Sequence, residues 1–352
     1  MIDLEVVDPV DLAARLMEID STSGREGAVI DWMHGFLAGR DWNARRIPVS
    51  PGRDDVLATI GGAEQPRVIL STHLDTVPPF IPPSVDGDLL RGRGACDAKG
   101  IAAAMICAAE RLRERGLPVG LLFVVGEEVT HDGAHAANEF ARGYFREPPD
   151  SRILINGEPT ESTLALGTKG AMRVFVRVAG EAAHSAYPHL GRSATRGLVH
   201  LLAELDRVDW PRDDLLGETT VNIGHLSGGV ADNIIAPEAE ARLMIRLVTP
   251  AADVWRVVEG WASGRATVER GPTVPPVRLG LLPGFPTSVA AFATDIPELG
   301  HWGRPHLFGP GSVHVAHRDD EHVRITELHA AVDAYERLAM TSLKADPSLR
   351  SG

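Results

Sequence analysis

Apolar side chains at Leu12, Leu16 and Ile19 recur at helical spacing behind Asp8 and Pro9. A capping residue followed by proline at the first helical position starts a helix well, so DPVDLAARLMEID predicts an amphipathic one. Further along, the period changes. RVILST, GLLFVV and RILIN are short apolar runs without polar alternation, and between the first two KGIAAAMICAAERLRERG puts Ile101, Met105, Ala108 and Leu112 at helical spacing. Strands of that kind are buried on both faces, which predicts the α/β fold class with a mostly parallel sheet covered by helices.

From about Lys169 the pattern changes again. AMRVFVRVAG places Met172, Val174, Val176 and Val178 on one face and Arg173 and Arg177 on the other, as in an antiparallel sheet wetted on one side. A helix-like segment from Ser193 to Leu205, strands at TTVNIGHLS and AEARLMIRLV, a helix near Ala251 to Ala262 and a strand at ATVER complete a β-α-β-β-α-β order. That order predicts a smaller α+β, ferredoxin-like domain of about 100 residues. LGTKG and RGPTVPPV flank it with the glycine and proline of hinges. The expected organisation is one domain built from 1–168 and 277–352, with 169–276 inserted and the helix-like TELHAAVDAYERLAM near the end.

A chain of 352 residues with 44% hydrophobic content can bury a large core. Its formal net charge of −13 opposes phosphate neutralisation and excludes a nucleic-acid partner as the expectation. The opening MIDLEVVDPV carries acids where a signal peptide needs basic residues, and no apolar run approaches the ~20 residues of a membrane span. A cytoplasmic location without a membrane partner is therefore expected. Cys96 and Cys107 fit neither a CxxC pair nor a disulfide framework, and are expected to be reduced and half-buried.

Ligands of an open α/β sheet bind at the carboxyl ends of its strands. His73 and Asp75 follow RVILST, Glu127 and Glu128 follow GLLFVV, Glu158 follows RILIN, and Asp97 stands just before a helix. So many converging carboxylates repel one another, and a divalent cation is the economical neutraliser. Mixed imidazole and carboxylate donors suit zinc, with cobalt or manganese as alternatives. Structural zinc usually closes its shell with cysteines, and this set offers none, so a catalytic role is expected.

The segments STHLDTVPP, GRGACDAKG, VVGEEVTHDGA, NGEPTE, AAHSAYPHLGRSA and FGPGSVHVAH follow one another along the chain. With them the chain resembles, over nearly its whole length, the co-catalytic metallohydrolase family of acetylornithine deacetylase, succinyl-diaminopimelate desuccinylase, aminoacylase and carboxypeptidase G. The resemblance implies two divalent metal ions bridged by Asp97, with His73 and Glu158 completing one site and Glu128 and His317 the other. Of His314 and His317, the second matches the family's histidine ahead of an acidic cluster. Asp75 would orient His73, and Glu127 would be the general base. Consecutive residues of an extended segment face opposite sides, which would let Glu128 hold metal while Glu127 faces water and substrate.

The same resemblance makes the inserted domain a lid and the site of homodimerisation, and carries His184 to the partner subunit's active site as an oxyanion donor. GGVADNIIAP resembles the family's substrate loop and marks Asn233. Arg246, on the strand face of Arg242, could clamp a substrate carboxylate. Gly311, within GPGS, would offer backbone donors. His131 and His135 have zinc-like spacing but lack the glutamate of HExxH, and are read as a solvated helix start. The expected activity is two-metal amide hydrolysis of an N-acyl amino acid or short peptide, most like acetylornithine or acetyl-lysine deacetylase. A desuccinylase-like, dipeptidase or carboxypeptidase activity is the alternative, and a non-catalytic metal-binding relative is the reading from another class.

Overall fold

Residues 7–60 and 65–345 are described by the computed structural model. The acidic stretch from Met1 to Val6, which the signal-peptide argument used, lies outside them. The described residues fall into two units. One runs up to Leu166 and resumes over Leu279–Ser288 and from Thr294 onward; the other comprises Gly167–Arg278 and Val289–Ala293. Val289–Ala293 thus fall in the second unit, where the sequence predicts them in the 277–352 segment of the first. The physical reason for the difference is a strand at Thr287–Ala290, whose Ala290 carbonyl accepts the Lys169 N–H at 2.9 Å.

The first unit begins with helix α1 (Pro9–Met17), whose N-terminus is capped by Asp8 accepting the Val10 N–H at 2.8 Å. It continues with α2 (Gly27–Ala38), the antiparallel ribbon β1 (Asn43–Ser50) and β2 (Arg53–Thr59), and then β3 (Val68–His73). Next come α3 (Lys99–Glu114), β4 (Val119–Val124), α4 (Asp132–Tyr144) and β5 (Ile153–Asn156). The central sheet runs β1-β2-β4-β3-β5 and ends with Arg304–Leu307; β4, β3, β5 and that last strand are parallel. Both expectations for this sheet hold, because β3, β4 and β5 are buried at every position.

Ile101, Met105 and Leu112 of α3 are buried, and the five alanines at 102–104 and 108–109 let α1 and the terminal helix Ile325–Ala345 close on it. Each large apolar side chain so buried contributes roughly 1.5–3 kcal/mol. Among the described residues no helix is long and apolar enough to cross a membrane.

The second unit holds β6 (Gly170–Ala179), α5 (Ala194–Leu202), β7 (Thr220–Gly228), β8 (Glu238–Leu247), α6 (Ala251–Ala262) and β9 (Thr267–Val274). Its antiparallel sheet has the order β7-β8-β6-β9. The alternation read from β6 is its burial pattern: Met172, Val174, Val176 and Val178 join Leu198, Leu201, Val254 and Val258 in one core.

Candidate metal centre

The chemistry of the first unit gathers where β3, β4 and β5 end. His73 is the last residue of β3, Asp97 stands two residues before α3, Glu127 and Glu128 follow β4, and Glu158 lies two residues past β5. His317 comes from the segment between Leu307 and the terminal helix, in a left-handed backbone conformation with φ of 65°. Donor atoms of His73, Glu127 and Glu158 lie within 4.8 Å of one another, and so do those of Asp97, Glu128 and His317.

Asp97 joins the two groups. One carboxylate oxygen is 3.0 Å from His73 Nε2 and the other 3.2 Å from His317 Nε2. His317 Nε2 is also 3.0 Å from Glu128, while Glu158 is 4.0 Å from His73 Nε2.

Burial pushes the Glu127 and Glu158 carboxyls well above the usual range, and neighbouring carboxylates add to the shift. Burial acts the same way on Asp97, but hydrogen bonds to His317 and His73 outweigh it and hold its pKa below the usual range. Hydrogen bonds to Asp97 and Glu128 raise His317 to about 10. Burial opposes charge on His73 too, yet the nearby Asp75 and Asp97 carboxylates hold it well above its ordinary value.

The charged neighbours that act most strongly on Glu127, Glu158 and Asp97 among the described residues are acids and histidines. This donor set fits a divalent cation in each group. Two ligands on one tetrahedral zinc, each about 2.0–2.2 Å from the ion, stand roughly 3.3 Å apart. The imidazole–carboxylate separations of 3.0–3.2 Å around Asp97 are close to that spacing.

The surroundings differ from expectation in three places. Glu127 and Glu128 do not continue an extended segment: Gly126, at φ 75°, breaks it, and the Thr130 and His131 N–H groups return to the Gly126 carbonyl at 2.9 and 2.8 Å. A turn, rather than strand alternation, sends the two side chains to different donor groups. Asp75 touches His73 mainly through its backbone carbonyl, 2.9 Å from Nδ1, with the carboxylate at 3.6 Å. That carboxylate instead accepts the Glu127 N–H at 3.1 Å, the Glu128 N–H at 3.3 Å and the Ser23 hydroxyl at 2.8 Å. His131 is not a solvated helix start, because its Nδ1 is 2.7 Å from the buried Asp295.

Sequence reasoning passed over Glu321, whose carboxylate accepts the N–H groups of Gly94, Cys96 and Asp97 at 3.0, 3.3 and 3.2 Å and pairs with buried Arg93 at 2.7 Å. It belongs to the acidic cluster after His317, which was the available signal. Ser23 and Asp295 carried none.

Gly311 takes φ 79°, and a Cβ there would meet the Cys96 Cβ at 2.6 Å. Its carbonyl accepts the Glu161 N–H at 2.8 Å. His184, Asn233 and Arg246 belong to the second unit. A bridge between His184 and Ile234 brings His184 beside Asn233, whose carbonyl accepts the Ser185 N–H at 2.9 Å. The Ala186 N–H donates to His184 Nδ1 at 3.1 Å, so Nε2 carries the proton of the neutral ring. Arg246 is half-buried with no acidic partner among the described residues, and burial lowers its pKa.

A family model described as Peptidase family M20/M25/M40 matches residues 69–341. A Peptidase M20 domain-containing protein of Schizosaccharomyces pombe is 36% identical over 346 residues, covering 95% of this chain and 85% of its own. A protein of Aspergillus fumigatus named "Probable carboxypeptidase" is 35% identical over 384 residues, covering 95% of this chain and 86% of its own. A tripeptidase of Staphylococcus aureus shares the fold with a TM-score of 0.78 at 20% identity, over 95% of this chain and 98% of that one. The chain therefore belongs to peptidase family M20/M25/M40 and is a hydrolase of amide or peptide bonds.

Proposed function

We propose that the protein is a two-metal exopeptidase, most like a metallocarboxypeptidase. The observation that carries this reading is the pair of donor groups joined through the two oxygens of Asp97, with Glu127 in the first of them. His73, Asp97 and Glu158 would hold one ion and Asp97, Glu128 and His317 the other, zinc by donor type with cobalt or manganese as alternatives. When bound, such a pair polarises the scissile carbonyl and makes an attacking water more acidic.

Glu127 takes the proton of that water and passes it to the departing amine. Asp75 fixes the backbone of both glutamates, so base and ligand keep their separate places. His184 donates from Nε2 to the developing oxyanion of the partner subunit's substrate, with Asn233 beside it and the Gly311 backbone as a further substrate contact. Arg246, half-buried without a counter-charge, is suited to a substrate carboxylate.

Residues 169–276 serve as lid and dimerisation module in this reading. The nine residues of β7 form one edge of their sheet, with Ile223 44% and Leu226 53% exposed, and an open edge that also shows apolar side chains favours association of two copies.

The sequence by itself favours N-acyl amino acids as substrates. The carboxypeptidase name of relatives at about a third identity supports putting peptides ahead of them in this reading. The test is a panel of dipeptides and tripeptides with free or amidated C-termini, beside N-acetyl and N-succinyl amino acids, given to zinc- and cobalt-loaded enzyme. Cleavage that requires the free C-terminal carboxylate is the expected result; turnover confined to the N-acyl amino acids would replace this reading with the deacylase one.

A further inference from the structure

His131 occupies its position at a local cost. It is the N-cap of α4 yet makes no side-chain capping bond, and its φ of 54° is left-handed for a residue with a Cβ. The residues on either side are clamped: Thr130 and Arg53 both bond to Asp132, and Arg53 is in turn held by Glu26 at 2.9 Å. A strained backbone kept in place by such a network points to a role for the side chain it carries.

That side chain reaches back towards the reacting groups. Its Nδ1 is 2.7 Å from Asp295, a hydrogen-bond length shorter than the imidazole–carboxylate pairs around Asp97. A ring nitrogen of His131, an oxygen of Asp295 and an oxygen of Glu127 lie within 4.8 Å of one another. The other ring nitrogen has no hydrogen-bond partner among the described residues. We propose that His131, held by Asp295, is a positioning residue that restrains the Glu127 carboxylate in its proton-transfer orientation. The proposal rests on the reading of Glu127 as general base.

His135 pairs with Glu298 at 3.1 Å beside this contact, so a clamp that merely docks α4 on the Asp295 segment is the competing account. The two are separated with the metal-loaded enzyme and a peptide it turns over. His131→Ala is expected to lower kcat about 10- to 100-fold, the scale of a misplaced catalytic group, with KM and bound metal within about twofold of wild type. His131→Asn, which keeps a donor towards Asp295, recovers part of the loss, and Asp295→Asn gives a smaller loss of the same kind. In a Glu127→Gln background His131→Ala should cost nothing further.

A lower Tm with unchanged kcat, or an equal kcat loss in both backgrounds, overturns the proposal. Should His131→Ala not fold, the Asn variants carry the same comparison. Wild-type turnover by Glu127→Gln alone would overturn the base assignment, and the proposal with it.

Discussion

Glu127 and Glu128 are adjacent in sequence but answer to different neighbours, one grouped with His73 and Glu158 and the other with Asp97 and His317. Replacing each by glutamine should therefore give different losses. Glu127→Gln should retain metal and lose roughly 10²–10⁴ in kcat, the range for a positioned acid–base group. Glu128→Gln should release metal, seen by elemental analysis after dialysis; the reverse pattern would exchange the two roles.

A second residue-scale consequence concerns His306, buried in the strand beside β5 with Nδ1 unpartnered, where burial lowers its pKa to about 4. The unfolded chain takes up a proton below about 6.5 while the folded one stays neutral until about 4, so stability falls as pH drops through that window, by up to ~1.4 kcal/mol per unit. His306→Phe should flatten the slope of Tm against pH between 7 and 4 relative to wild type.

At the scale of elements, the segment bearing Asp97 is held from the far end of the chain. The Arg93–Glu321 pair is almost fully buried, and Glu321 also takes three backbone N–H groups around Asp97. Glu321→Ala leaves the Arg93 charge uncompensated, which costs about 3–5 kcal/mol for a buried pair, and frees the segment that positions Asp97. Denaturant titration should show that loss, with weaker metal retention than wild type.

Strands β3, β4 and β5 were legible because buried parallel strands leave unbroken apolar runs. β1 was not, since NARRIPVS lies at the sheet edge with one buried residue and no period to read. The acids at the strand ends were legible for the same reason as the strands. The turn at Gly126 and the reach of Glu321 were not, because one depends on a positive φ and the other on contacts more than 220 residues apart.

For the whole molecule, the open edge of β7 and the donor tautomer of His184 both bear on whether two copies share their sites. Mixing His184→Ala with Glu127→Gln under conditions of subunit exchange should regain up to about a quarter of wild-type turnover, the share of sites built from two intact halves in a random dimer of the two variants. No recovery in proven mixed dimers would confine each site to one subunit.

The two cysteines, expected to be half-buried, are enclosed more fully than that: Cys96 is 0% and Cys107 6% exposed, and burial raises Cys107 to about 12. Both lie in the core of the first unit. A thiol reagent added to the native protein therefore reads out a rate, since modification must wait until that core opens. Two equivalents should react at once in denaturant and almost none in buffer, and the slow uptake in buffer becomes a clock for the opening of the first unit that needs no substrate.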